Sequence, residues 1–144
     1  MLAAKPALAA TFGSAIRVDA ANGRQVAQGV ERLQEYRASG ELTQFRTVVV
    51  ALGTDGPLTP ALFSELVTQL QGVPNLIFYD TYDKKPWEAT TNAALAAGVP
   101  ANPGMIELNW AAVAGAPGLV NADGTRPTAA GATAFASMLN SILS

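Results

Sequence analysis

The 144-residue chain contains no histidine and no cysteine, and only 14% of it is charged. Without cysteine there are no disulfides, thiolate nucleophiles or thiolate metal sites, and the redox compartment is left unspecified. Without histidine a Ser-His-Asp relay cannot be assembled from this chain alone. An excess of charge is missing too: 9 Lys plus Arg against 11 Asp plus Glu give a net charge of -2. There is no basic run, which argues against electrostatic capture of nucleic acid. Charged residues, Pro or Gly punctuate every apolar window, so no membrane insertion by this chain is expected. The opening "MLAAKPALAATFGSA" is Ala-rich, but Lys5 is its only early charge and Pro6 interrupts the apolar stretch, which makes it a poor export signal.

What is present is alternation. Four short β-rich runs, "AIRVDA" (15–20), "RTVVVALG" (46–53), "NLIFYD" (75–80) and "MIELNW" (105–110), are separated by segments with helical spacing. The second is continuously apolar, as expected of a parallel strand covered on both faces. Val26, Val30, Leu33 and Tyr36 share one helical face, and Gly40 follows as a C-terminal cap. Thr59 and Pro60 have the residue types of an N-cap and first helical position, ahead of the stripe Leu62, Phe63, Leu66, Val67 and Leu70. A third helix is predicted from near Pro86 through Leu95, and Thr128 caps a last one carrying Phe135, Met138, Leu139 and Ile142. With a helix predicted over "LAAKPALAATF", the order reads α-βα-βα-βα-β-α. This is one α/β domain over residues 1–144, a doubly wound parallel sheet whose ligands belong at the carboxyl ends of the strands. Asp19, Asp55, Asp80 and Asn109 stand at or just beyond those ends.

Four blocks carry a family resemblance. "VDAANGRQVAQGVERLQEYRASG", "VVVALGTDGPLT", "PWEATTNAAL" and "NADGTRPTAAG" follow one another in an order and spacing that resembles the SGNH (GDSL-like) hydrolases. The likeness is strongest to the SGNH domains associated with bacterial membrane O-acyltransferases. It implies a three-layer α/β/α fold with a flavodoxin-like parallel sheet and ester hydrolysis or O-acetyl transfer on cell-envelope glycans. It also implies a bacterial envelope setting and a membrane acyltransferase domain as a candidate partner. The sequence by itself leaves localisation open. The resemblance puts Gly23 and Asp55 at the oxyanion-hole positions, Asp123 at the triad Asp and Arg126 at the triad His. The block with the nucleophilic serine would overlap this chain only at "ML", so the sheet is expected to lack its first, central strand, Met1 falling just past the nucleophile. Such a gap could be closed by pairing "AIRVDA" with "RTVVVALG" or filled by a strand-donating partner chain; a truncated start is the favoured reading.

The departures bear on activity. Arg126 stays protonated at physiological pH and cannot accept a serine proton. An ionised Asp55 only accepts hydrogen bonds and repels a developing oxyanion. Losing the base of such a relay costs about a million-fold in turnover and losing an oxyanion donor about a hundred- to thousand-fold. Whether the chain is an enzyme is therefore open: a catalytically impaired SGNH-like domain, or a non-catalytic binding or interaction module. Ser14, Ser39, Ser64 and the C-terminal serines lie outside any strand-to-helix turn and read as surface or capping residues. Asp19, Asp55, Asp80 and Asp83 could converge on a hard cation, but bracing turns is the commoner use of such residues, and no metal site is assigned. "GTDGP" matches no phosphate loop, and no cofactor is implied. Arg126 with Arg24 could recognise an anion, though a solvated Arg126 is the plainer reading. Trp87 and Trp110 read as packing residues.

Overall fold

A computed structural model describes residues 1–144. Its elements are α1 (Lys5–Phe12), α2 (Val26–Ala38), β1 (Thr47–Val50), α3 (Pro60–Gln69), β2 (Asn75–Tyr79), α4 (Glu88–Gly98), β3 (Met105–Leu108), α5 (Trp110–Ala114) and α6 (Ala129–Leu143). Short 3-10 turns precede α1 (Leu2–Ala4), follow it (Gly13–Ala15) and lead into β1 (Glu41–Gln44). No helix is long and apolar enough to cross a membrane.

The fold is a three-layer α/β/α arrangement around a parallel sheet ordered β1-β2-β3. Thr47 pairs with Asn75 and Val50 with Phe78, while Leu76 pairs with Met105 and Tyr79 with Leu108. The period of two along β2 divides the core. Leu76 and Phe78 face one layer, where Val26 and Val30 of α2, Phe63 and Leu66 of α3 and Leu95 of α4 pack. Ile77 and Tyr79 face the other, against Leu8 of α1, Trp110 of α5 and Phe135 and Leu139 of α6. On that second face the Tyr79 ring stacks on Phe135 with centroids 3.8 Å apart, and its hydroxyl donates to the Phe135 carbonyl at 2.6 Å. A buried phenol with its one donor satisfied in this way costs nothing for its polar tip.

The caps form where the residue types place them. Thr59 accepts the Leu62 N–H at 3.2 Å with Pro60 opening α3, and Thr128 accepts the Gly131 N–H at 3.1 Å to start α6. Gly40 ends the α2 segment with φ +78, which suits glycine. Asn109 caps a further helix, α5, by accepting the Ala112 N–H at 3.0 Å; the sequence pattern assigns Asn109 and Trp110 to a strand instead.

The predicted strand "AIRVDA" requires correction. Residues 16–20 belong to no strand, although Ile16 is extended at φ -115, ψ 137. The segment does not close onto β1, because a cavity lies between them. A strand exists only where a second backbone is within hydrogen-bonding reach, and here none is. Residues 1–10 do not supply one either: they are helical from Leu2 onward.

Candidate functional site

The cavity has a volume of about 1020 Å³ and runs the length of β1 and the loop beyond it, from Thr47 to Asp55. Its opposite wall is the stretch Ser14–Arg24, and residues of α2 on one face of the sheet and of α1, α5 and α6 on the other complete its lining. The carboxyl edge of the sheet forms its polar mouth, where the loops after β1 and β2 and the loop before α6 meet.

Gly23, Asp55, Asp123 and Arg126, the four positions marked by the sequence, all line this one cavity. Gly23 sits in a turn at φ +69, with open space where a side chain would project. Asp123 is built into a tight loop. Its Oδ1 accepts the N–H groups of Thr125 and Arg126, both at 3.0 Å, and its Oδ2 accepts from Arg126 Nε at 2.8 Å. The Thr125 N–H and the Arg126 guanidinium hold its carboxyl well below the usual carboxylate range, at about 2. Asp123 is thus an ionised turn brace, and the Arg126 side chain, 71% exposed, closes over it. Asp55 has no hydrogen-bond or ion-pair partner among the side-chain contacts of the chain. The Met1 amino group lies in the same mouth; burial lowers its pKa, and the field of Asp55 acts the other way.

A second cluster escaped the sequence reading. Asp19 Oδ2 accepts from Arg32 Nε at 2.7 Å and from the Tyr36 hydroxyl at 2.6 Å, and its Oδ1 pairs with Arg24 Nη1 at 2.9 Å. Partial burial pushes the Asp19 carboxyl up, and the hydrogen bonds from Tyr36, Arg32 and Arg24 outweigh it, so the group is held far below the usual range. The Arg32 guanidinium also lies over the Tyr36 ring, 4.5 Å from its centroid. The available signal was the spacing of four between Arg32 and Tyr36, which stacks them on one face of α2; nothing local pointed to Asp19. The network ties the loop to α2 and occupies Arg24, so Arg24 is not free to join Arg126 around an anion.

The carboxylates do not gather round a cation. Besides Asp19, Asp80 Oδ1 accepts the Ala111 N–H at 2.7 Å, and Asp83 Oδ1 accepts from the Thr125 hydroxyl at 2.9 Å and from the Lys85 N–H at 3.2 Å. No three acidic residues lie together in a metal-binding group. Asp83 Oδ2 is buried without a partner. Trp110 packs edge-on against Phe135 at 5.4 Å, and Trp87 donates its Nε1–H to the Gly53 carbonyl at 3.0 Å, so both indoles are used in packing and bracing.

Ser14 is the one serine on the cavity wall. It lies in the 3-10 turn before Ile16, the end of that wall at which Arg17 pairs with Glu41 ahead of β1. Asp123 and Arg126 belong to the opposite, carboxyl end. The site as built offers carboxylates, paired guanidiniums and hydroxyls, with no group poised to take a proton from a serine. No family model matches the sequence, and no curated protein is detectably similar to it.

Proposed function

We propose that this chain is an SGNH-hydrolase-like domain, related to ester hydrolases and O-acetyltransferases of cell-envelope glycans, that acts as a binding or interaction module and does not hydrolyse esters by itself. One observation carries the reading: the position resembling the catalytic histidine holds Arg126, whose Nε is bound to Asp123 at 2.8 Å. A guanidinium cannot serve as general base, and its pairing uses up the carboxylate that would orient one. Support for the ancestry is the resemblance of the four blocks and the meeting of Gly23, Asp55, Asp123 and Arg126 around one cavity. A membrane acyltransferase domain or a strand-donating chain are the partners this reading suggests.

The test is chemical. The purified chain and its Arg126→His variant are incubated with a fluorophosphonate probe and with p-nitrophenyl acetate. Neither should be labelled on serine or turn over ester above buffer, because relay members act as a unit and restoring one member without the others returns nothing. Labelling of Ser14, or turnover in the variant that Ser14→Ala abolishes, would sink the reading.

A further inference from the structure

The sheet has two edges, and they are not alike. The outer edge of β3 carries Glu107, a charged residue of the kind that guards a true edge. The outer edge of β1 reads Thr47, Val48, Val49, Val50, Ala51, Leu52, without a charge, and it faces the cavity. That is the composition of an interior strand. Its main chain pairs only with β2. Across the cavity, no residue from Arg17 to Arg24 makes a backbone–backbone hydrogen bond. Two stretches of main chain without a backbone partner on the cavity side therefore line opposite walls of one slot, with the Asp19 carbonyl held by Arg24 Nη1 and the Leu52 carbonyl by the Thr81 hydroxyl.

The walls also run the same way. Arg17 pairs with Glu41, just ahead of β1, while Gln25 lies against Gly56, just beyond it. Chain direction from Arg17 to Gln25 thus follows that of β1. The slot is electrically quiet as well. Arg17 is paired with Glu41, Arg24 with Asp19, Arg32 with both Asp19 and Glu35, and Arg126 with Asp123. At the mouth, Lys85 and the Met1 ammonium stand against Asp55 and Asp80. This balance favours a neutral occupant over an anion.

We propose that the slot between β1 and Ile16–Ala20 is the docking site for an extended, uncharged, apolar strand of another polypeptide, which enters parallel to β1 and hydrogen-bonds to both walls. A strand of five or six residues, about 17–20 Å long, matches the wall. It would be covered on both faces, since Val50 and Val48 belong to the core around α2 and α3 while Val49 and Ala51 belong to the core around α1 and α6. Every side chain of the occupant is then apolar, without the alternation of a half-exposed strand. A hydrocarbon ligand would fill the space but leave both backbones unpaired. The inference rests on the reading of the chain as an interaction module and names the partner's chemistry.

The probe is a fluorescein-labelled peptide, acetyl-Lys-Val-Ile-Val-Val-Leu-Lys-amide, titrated into the full chain. Two controls accompany it: the same peptide N-methylated at alternate residues, and decanoate. The parent peptide should bind saturably and raise Tm. It should slow amide exchange at Val48–Ala51 and Arg17–Ala20, and the N-methylated peptide should bind at least tenfold more weakly. In a second arm, the strand is fused to Met1, which lies at the carboxyl mouth where a parallel strand exits; the fusion should raise Tm and abolish binding of the free peptide. No binding, equal binding of the N-methylated peptide, equal stabilisation by decanoate, protection elsewhere in the chain, or occupation of the slot by a second copy through dimerisation would each overturn the proposal. These results are independent of fluorophosphonate labelling, so failure of the strand site and failure of the non-catalytic reading are told apart.

Discussion

Replacing Asp80 with asparagine is expected to stabilise the protein at neutral pH and to flatten the acid side of its stability profile. Asp80 follows β2, is 7% exposed, and pins the start of α5 through the Ala111 N–H at 2.7 Å. Burial pushes its carboxyl up, and this outweighs the opposing hydrogen bonds from the Ala111 and Trp110 amides, with the charge of Glu88 adding to the upward push. A carboxyl raised on folding holds more protons in the native than in the unfolded state between the unfolded value, about 3.9, and its raised native value. Stability therefore falls as pH climbs through that window, and the whole deficit is present above it. In the Asp80→Asn variant the side-chain amide keeps a carbonyl oxygen for the Ala111 N–H and removes the charge. One unit of displacement is worth about 1.4 kcal/mol, so the gain near pH 7 is the upward displacement read at that rate, and in a chain of this length each kcal/mol gained raises Tm by about 3–4 °C. Scanning calorimetry of both proteins from pH 3 to pH 8 should show curves that converge near pH 3 and separate as pH rises. A variant less stable than wild type at pH 7, or an offset that does not change with pH, would refute the argument that this charge opposes folding.

The opposite sign is expected at Asp19, where Asp19→Asn should cost about 1–2 kcal/mol at pH 7 in urea unfolding, discounted for the partly exposed guanidiniums. Its depressed carboxyl contributes stability above the unfolded value that is lost as pH falls through the native one, so the two proteins should converge in strong acid; an unchanged urea midpoint at pH 7 would contradict the network. Gly53→Ala is expected to cost about 2–4 kcal/mol, because Gly53 sits at φ +118 and an added Cβ would stand 2.5 Å from Thr91 Cγ2 and 2.9 Å from Thr81 Oγ1. Gly23→Ala, at φ +69 in open space, carries only the backbone cost of about 1 kcal/mol. Equal urea midpoints for the two variants would show that close packing at Gly53 is not what selects glycine there.

Much of the fold is legible because its signals are local. A capping hydroxyl before a proline, as at Thr59 and Pro60, and an apolar stripe at helical spacing, as along α3, act within a few residues and need nothing distant to be true. The strands "TVVV", "NLIFY" and "MIEL" are legible for the same reason. "AIRVDA" carries a similar signal and fails, because a strand is a relation between two backbones, and composition reports only one of them. The cluster around Asp19 was hidden on the same ground: beside the nearby Arg24, two of its partners come from α2, 13 and 17 residues away. The convergence of Gly23, Asp55, Asp123 and Arg126 was open to inference, since parallel strands bring their following loops to one edge whatever the details of packing. The most informative position is one where the levels disagree. β1 has the sequence of a strand with neighbours on both sides and a structure with a neighbour on one. Apolar residues left on a cavity wall raise the free energy of the chain, and on that side β1 has no strand to pair with. Conflicts of this kind cluster where a protein meets something outside itself, and the proposed strand from another polypeptide would resolve this one by covering the valines and pairing the amides of both walls at once.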